Sequence, residues 1–315
     1  MLALTIAASL LLTSPQASAQ PAPVADPSIV APVDLDEILV QGRSLENTTQ
    51  TFVREVGAPA RNRGLARWRN GLCAGVVNMR TETAQYLVDR VSDVARDVGL
   101  RVGAPGCTPS VLVIATQNAK AFTPMLVASR PRLFLVGGTG MDRGRSQLES
   151  FENSERPVRW WHVSAPVDPD TGQIAVRIPG TCTGSCSSPF DYAPTLKVTS
   201  SRLLSHTDDD LKRVFIIVDI DKVADVSLEQ LGDYIAMVAL AQVNPDADTG
   251  GYSTILNLFE NPGDTPRLTL WDRTYLKGLY EAQITFANTG AARQEVVSSI
   301  IRTHHDMAED RATAP

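Results

Sequence analysis

Hydrophobic and polar residues follow two different periods along this chain, and the period separates predicted strands from predicted helices. Short apolar runs predict strands in CAGVVNM from Cys73, in SVLVIAT over residues 110–116 and in RVFIIVDI over residues 213–220. The segment PVRWWHVSAP, from Pro157, alternates enough to predict a fourth strand. Between the first two strands, apolar residues recur at three- and four-residue steps and predict one buried helical stripe: Ala84, Leu87, Val88, Val91, Val94, Ala95 and Val98.

Both ends of that helix carry sequence signals. Thr81 can cap its start, with Glu82 in the first turn, and Gly99 can end it in the left-handed conformation. The two strands and the helix between them then form a β-α-β unit, whose crossover we expect to be right-handed. A shorter helix is predicted around residues 119–129.

Another helix is predicted after the last strand. Ser227 and Gln230 have the spacing of a capping box, which marks its start, and Pro245 ends the helical pattern. From Tyr234 to Ala241 no strongly polar residue occurs on any face. That composition is typical of a helix that is buried on all sides.

The remaining predicted elements are helices as well. Thr269 and Asp272 have capping-box spacing, and a last helix is expected around residues 291–301. The helix that begins at Thr269 should turn four side chains toward the core: Trp271, Tyr275, Leu276 and Leu279.

This order of elements predicts the class α/β (α+β), with a mixed β-sheet, packed helices and a helical C-terminal half. We place a single globular domain at residues 46–304 and an irregular insertion within it at residues 167–198. Residues 305–315 are polar and are expected to form a disordered tail.

The N-terminal residues 1–19 have the pattern of a secretory signal peptide. An apolar run from Leu2 to Leu12 is followed by Ala17-Ser18-Ala19, so cleavage is expected between Ala19 and Gln20. Residues 20–45 are rich in Pro and Ala and predict a flexible tether. The interpretation is an exported protein, periplasmic or secreted, of a Gram-negative bacterium.

Composition narrows the possible partners. The chain has 315 residues, 43% of them hydrophobic and 20% charged, as in ordinary globular proteins. Its net charge is −6, and no basic cluster occurs, so a nucleic-acid partner is not expected. After the leader, no run of about 18 apolar residues predicts a membrane span.

The four cysteines of the chain suggest disulfides, because the number is even and the protein is expected to be exported. Cys73 and Cys107 flank the first long helix, and Cys182 and Cys186 lie in GTCTGSCSS. We predict that each of these two pairs forms a bridge. The alternative for CTGSC is half of a metal site or a redox pair, although the spacing differs from Cys-x2-Cys.

Glycines and aspartates raise two further possibilities. Gly138, Gly140 and Gly144 invite comparison with a dinucleotide-binding loop, but their spacing departs from that motif and favours an ordinary loop. Asp246 and Asp248 stand beside two glycines and supply oxygen ligands of the kind that calcium needs. The full calcium loop is absent, so a solvated turn is the competing interpretation. The run DDD from residue 208 is expected at a helix start or on the surface.

A nucleophilic catalytic set can be drawn from His162, Ser164 and Asp219. No G-x-S-x-G turn accompanies these residues, and a single histidine in an aromatic strand is more often structural. In the neighbouring pair Trp160-Trp161, strand alternation places the two side chains on opposite faces, so one of them is expected in the core.

The order of elements is similar to the zincin-like arrangement of metzincin proteases. The C-terminal third also resembles an exported proteobacterial family of unknown function, of the sphingomonad type. The residues that carry this second likeness are DYIAMVALAQV from Asp233, DADTGGYSTILNLF with Thr254-Ile255-Leu256-Asn257, and Trp271-Asp272-Arg273 with Leu276 and Tyr280. The resemblance covers roughly residues 50–285.

Metzincins bind zinc through H-E-x-x-H-x-x-G-x-x-H on a helix. In this chain the corresponding positions hold Asp233, Tyr234, Met237, Leu240 and Val243. The histidines of the chain lie elsewhere, at positions 162, 206, 304 and 305. The resemblance therefore implies a protease-like scaffold with no metal and no cofactor.

Three functions follow as hypotheses. The first is a non-catalytic envelope protein that binds a peptide, protein or cell-wall partner in the groove that a protease would use. Candidate groove residues are Trp160, His162, Asp233, Tyr234 and Met237. The second is a hydrolase with an unrecognised active site, and the third is a purely structural periplasmic domain.

Overall fold

A computed structural model describes residues 44–60, 62–134, 143–176, 205–283 and 288–313. Within these ranges a mixed sheet contains four strands, in the order β1-β2-β4-β3. β1, β2 and β4 are parallel, and β3 pairs antiparallel with β4 at one edge. The strands are β1 (Ala74–Val77), β2 (Val111–Thr116), β3 (Val158–Val167) and β4 (Asp208–Asp219).

Eight α-helices surround this sheet in the described part of the chain, which confirms the predicted mixture of sheet and helix. The regular elements that follow β4 there are all helical, as expected for the C-terminal half. A 3-10 turn at Ile255–Asn257 lies between the sixth and seventh helices. The helices are α1 (Leu45–Val56), α2 (Thr81–Asp97), α3 (Ala119–Ser129), α4 (Pro131–Phe134), α5 (Arg145–Asn153), α6 (Leu228–Leu240), α7 (Leu270–Glu281) and α8 (Thr289–Thr313).

The β1-α2-β2 unit forms where the periodicity predicted it. Leu87, Val91 and Val94 of the apolar stripe are buried. Gly99 ends the helix with φ +81°, as expected, and its amide donates to the carbonyl of Arg96. The start differs by one residue, because Thr81 is the first helical residue and not its cap.

Cys73 and Cys107 form a disulfide, with their Cα atoms 6.2 Å apart, so this predicted pairing is confirmed. The bridge joins the start of β1 to the segment that enters β2. The second predicted pair, Cys182 and Cys186, lies outside the described residues, as do the signal peptide and nearly all of the tether.

The two tryptophans of β3 lie on opposite faces of the sheet. Trp161 packs with Phe151 and Phe215 in an apolar cluster beneath α3, α4 and α5, and its indole donates to the carbonyl of Phe134 at 2.9 Å. Trp160 donates to the carbonyl of Val243 at 2.9 Å on the α6 side. Both rings are buried, because helices or loops cover each face of the sheet. We expected one of the two tryptophans in the core, and the structure places both there.

The segment after Gly144 forms α5, a helix that the sequence pattern did not predict. Its two apolar side chains, Leu148 and Phe151, are three residues apart and are buried together, which is enough to hold this short helix on the sheet. Gly138 and Gly140 lie outside the described residues.

The last helix is longer than predicted. α8 continues from Thr289 to Thr313, through most of the segment that we expected to be a disordered tail. No Gly or Pro occurs after Gly290 until Pro315, so the backbone meets no helix breaker over that distance. Among the described residues, no helix combines the length and the apolar composition needed to cross a membrane.

The acidic run from Asp208 belongs to β4 and is largely buried, so the prediction of a helix start or an exposed feature was wrong. Basic residues from the chain before β1 compensate its charge. Arg69 donates to Asp208 at 2.5 Å and to Asp210 at 3.2 Å, while Arg63 pairs with Asp209. Carboxylates can occupy this strand because each of them has a guanidinium partner.

Candidate functional site

α6 begins where the capping box predicted. The Ser227 hydroxyl accepts from the Gln230 amide at 3.1 Å, and the Gln230 side chain accepts from the Ser227 amide at 2.9 Å. The Gln230 side chain also donates to the carbonyls of Pro262 and Thr265. These contacts join the start of α6 to the loop that precedes α7. Every residue from Leu231 to Leu240 is buried, as the apolar composition predicted.

Asp233 and Met237, two of the predicted groove residues, lie in the interior with 0% exposure. Asp233 forms an ion pair with Arg90 of α2 and accepts from the backbone amide of Leu268 at 2.6 Å. The carboxylate therefore links α6 to α2 and to the chain before α7. Neither residue lines the cavity described below, so both belong to the core and not to a groove.

His162 is buried on the α6 side of β3 and donates through Nε2 to the carbonyl of Val238 at 2.8 Å. Burial lowers the pKa of its imidazole to about 4, so the ring is neutral at physiological pH. Its partner in β4 is Val214, five residues before Asp219. A separation of about 16 Å along the strand follows from the usual rise per residue, so His162 and Asp219 are not assembled as a catalytic pair.

Trp160 and Tyr234 are the two predicted groove residues that meet at a cavity. This cavity, which we call the aromatic cleft, has a volume of about 410 Å³ and lies between β3, α6 and residues 243–260. The volume is within the range of small-ligand sites in proteins. Its apolar lining comprises Pro157, Trp160, Tyr234, Val243, Pro245, Ala247, Leu256 and Phe259, and its charged lining comprises Arg156, Asp246 and Glu260.

Three aromatic rings form much of the cleft wall. The centroids of Trp160 and Tyr234 are 6.0 Å apart with an interplanar angle of 69°. Those of Tyr234 and Phe259 are 4.9 Å apart with an angle of 68°. The Trp160 and Tyr234 rings are 5% and 4% exposed, so they pack mainly against their neighbours and present little surface to the cleft.

Tyr234 carries a hydroxyl at this wall. Tyr234 is 4% exposed, and no residue in the described part of the chain forms a hydrogen bond with its hydroxyl. Burial raises the pKa of the phenol, so the group remains neutral. Arg156 lowers the pKa of this phenol and Glu260 raises it, and both effects are smaller than that of burial.

The aromatic cleft adjoins the outer edge of β3. The backbone amide of Asp219 donates to the carbonyl of Pro157 at 2.9 Å. Alternate residues from Pro157 onward therefore direct their backbone hydrogen-bonding groups toward β4. Val158, Trp160 and His162 therefore direct their backbone N–H and C=O groups away from β4. A smaller cavity lies along this edge, because the consecutive residues Arg159–His162 all line it, and it shares Trp160 with the aromatic cleft.

The two aspartates that suggested calcium have separate partners. Asp246 pairs with Arg156 at 3.1 Å, and Asp248 accepts from the Gly250 amide at 3.3 Å within the turn. Among the described residues, no cluster of three or more His, Cys, Asp or Glu side chains is arranged to hold a metal ion.

The sequence did not identify Arg156, Phe259 and Glu260 as site residues. They come from two loops that are far apart in the chain, and each has the local context of an ordinary surface loop. The one available signal was NLFENP, in which a large aromatic residue stands beside a carboxylate in a loop.

Comparison of the chain with protein-family models, with curated proteins and with solved structures finds no match. Function is therefore inferred from the geometry and chemistry of this site.

Proposed function

We propose that this protein is a non-catalytic, metalloprotease-like scaffold that binds a short peptide in the aromatic cleft. The observation that carries the proposal is the cleft wall itself: Trp160, Tyr234 and Phe259 line it beside a hydroxyl with no hydrogen-bond partner in the described residues. The cleft combines apolar side chains with polar and charged groups, and it has the volume of a small-ligand site. The peptide can belong to a protein or to the peptide portion of a cell-wall polymer.

A peptide is proposed because the lining of the aromatic cleft offers both apolar and charged contacts: the rings of Trp160, Tyr234 and Phe259, and the charged groups of Arg156, Asp246 and Glu260. The outer edge of β3 is not available for an added strand, because every residue of Val158–Val167 is buried.

Binding is favoured over catalysis because the candidate catalytic groups have structural partners. The carboxylate of Asp233 is held by Arg90 and by the amide of Leu268, and His162 is held by the carbonyl of Val238. A general base must be able to reach the substrate. These two side chains instead fix α6 against its neighbours.

We also propose that the protein acts outside the cytoplasm. The leader-like residues 1–19 motivate this location, and the Cys73–Cys107 bridge supports it, because stable disulfides persist mainly in oxidising compartments.

The proposal is tested by selecting ligands from a library of random decapeptides displayed on phage. Synthetic copies of the enriched peptides are then titrated by fluorescence polarisation. Replacing Ala247, which lines the cleft, by Phe should weaken binding by about tenfold or more, equal to about 1.4 kcal/mol. The matched control is Asp248→Phe, at the exposed next position outside the cleft lining, which should leave the affinity unchanged.

Absence of any enriched peptide, or equal affinity for the wild type and Ala247→Phe, would contradict the proposal. Mass spectrometry of the incubated peptides is included, since cleavage would favour the hydrolase hypothesis.

A further inference from the structure

A further cavity, which we call the polar cavity, lies between the segment before β1, the start of β4 and the start of α8. Its volume is about 130 Å³. A cavity of about 150 Å³ accommodates benzene, so the polar cavity has room for a ligand of about five or six non-hydrogen atoms. Among the described residues it shares no lining residue with the aromatic cleft or with the smaller cavity beside that cleft, so it is a separate candidate site.

The lining of the polar cavity carries charges of both signs. It includes two guanidinium groups and two carboxylates: Arg63, Arg293, Asp208 and Asp209. Arg63 pairs with Asp209, which also accepts from the amide of Gly64 at 2.8 Å. Asp208 pairs through Oδ2 with Arg69, which lies outside the lining. The two carboxylates are therefore held in place by cations of the segment before β1.

Two charged groups of this lining retain unused hydrogen-bonding capacity in the described structure. Oδ1 of Asp208 is buried and has no hydrogen-bond partner there, and the whole residue is 9% exposed. Arg293 is exposed at the rim and has no ion-pair or hydrogen-bond partner within the same ranges. Because a buried acceptor without a donor is unfavourable, a donor inside the cavity would stabilise Asp208. The exposed guanidinium likewise favours an anionic partner.

The start of α8 strengthens the attraction for an anion near Arg293. Thr289 begins this 25-residue helix and lines the polar cavity. The positive end of the helix dipole lies at this terminus. The amides of Gly290 and Ala291 already donate to the side chain of Asn288, so hydrogen bonds to an anion would come from Arg293.

We propose that the polar cavity binds the zwitterion of a small free α-amino acid. The carboxylate of the ligand accepts from Arg293 beside the start of α8, and its ammonium group donates to Oδ1 of Asp208. A ligand that carried only one sign of charge would satisfy one of these two groups and not the other. The volume limits the ligand to about the size of glycine or alanine. This inference does not depend on the aromatic cleft.

The test compares three achiral probes of equal size in calorimetric titrations at about pH 6, which is below the usual pKa of an α-amino group. Glycine carries both charges, glycolate replaces the ammonium by a hydroxyl, and glycinamide replaces the carboxylate by a neutral amide. Glycine should bind with a Kd of about 1 mM or tighter. Glycolate and glycinamide should each bind at least about tenfold more weakly, because each lacks one of the two charges.

Arg293→Gln locates the site on the protein. The residue is exposed, so the fold should be retained, and glycine should bind about tenfold more weakly or less. The weak binding of glycinamide should not change, since this probe has no carboxylate. The matched control is Arg302→Gln on the same helix: Arg302 is 59% exposed, pairs with Glu295 and does not line the polar cavity. Its glycine affinity should equal that of the wild type.

Each contrary result overturns the inference. No detectable binding of glycine would do so, as would equal affinities for glycine and either of the other two probes. An unchanged glycine affinity in Arg293→Gln would show that glycine binds elsewhere. An equal loss in Arg302→Gln would show that the overall charge of α8, and not the polar cavity, is responsible.

Discussion

The ion pair between Asp233 and Arg90 provides the sharpest test of how α6 is held. Asp233 has 0% side-chain exposure and Arg90 has 24%, and the carboxylate also accepts from the amide of Leu268 at 2.6 Å. Asp233→Ala removes both interactions. It leaves a guanidinium near the core without its counter-charge and a buried backbone amide without an acceptor.

The expected loss follows from these two contributions. Removing one partner of a buried ion pair lowers the free energy of unfolding by about 3 to 5 kcal/mol. A buried amide that loses its acceptor lowers it by about 1 to 3 kcal/mol. Because Arg90 retains some contact with water, we expect a total of about 3 to 4 kcal/mol. With an m-value of about 3 kcal/mol per M, the urea midpoint should fall by about 1 M.

The assay is urea unfolding followed by far-UV circular dichroism. Asp233→Asn separates the contributions, because the amide oxygen still accepts from Leu268 while the charge is removed, and this variant should lose less stability. Asp93→Ala is the matched control: Asp93 pairs with Arg96 on the same helix, α2, but both side chains are 59% exposed. Its effect should stay within about 0.5 kcal/mol. A loss below about 1 kcal/mol for Asp233→Ala would refute the assignment of Asp233 as a structural anchor.

Two further predictions concern His162 and the disulfide. The pKa of His162 falls from its ordinary 6.5 to about 4 on folding. Between these two pH values the unfolded chain binds a proton at His162 that the folded protein does not bind, so the folded state loses stability as the pH falls through this window. Between pH 7 and pH 5 this residue should account for a loss of about 2 kcal/mol, and unfolding of His162→Gln at both pH values should show a correspondingly smaller pH dependence. The bridge between Cys73 and Cys107 closes a loop with a sequence separation of 34, for which chain entropy gives about 4 kcal/mol. Cys73→Ser with Cys107→Ser should therefore lower the thermal midpoint by about 10 °C in calorimetry, and an unchanged midpoint would contradict the bridge.

Local pattern predicted the elements whose signals lie within a few neighbouring residues. The capping boxes at Ser227 and Thr269 both form, since each depends only on residues three apart. The same holds for Gly99, whose positive φ ends α2 within one turn. α5 was missed because its two apolar residues become informative only when the sheet is present to cover them.

Side-chain roles were harder to predict, because they depend on partners distant in sequence. Asp233 was assigned to a groove by alignment with a zinc-binding helix, whereas its partner Arg90 lies 143 residues away. The aspartates of β4 looked like surface residues for the same reason: Arg69, which compensates two of them, precedes β1. A charged residue appears exposed until its counter-charge is known.

By itself, the sequence predicted the periodic elements and the buried character of α6, because helix periodicity and apolar composition are properties of short stretches of chain. It also predicted the pairing of Cys73 with Cys107, because these two cysteines flank one helix. Only the tertiary structure decided which side chains meet. It brought Arg156, Trp160, Tyr234, Phe259 and Glu260 to one cleft and placed Met237 in the core. The physical reason is that a binding site is a set of contacts between distant segments, and those contacts are fixed only when the sheet and helices pack together.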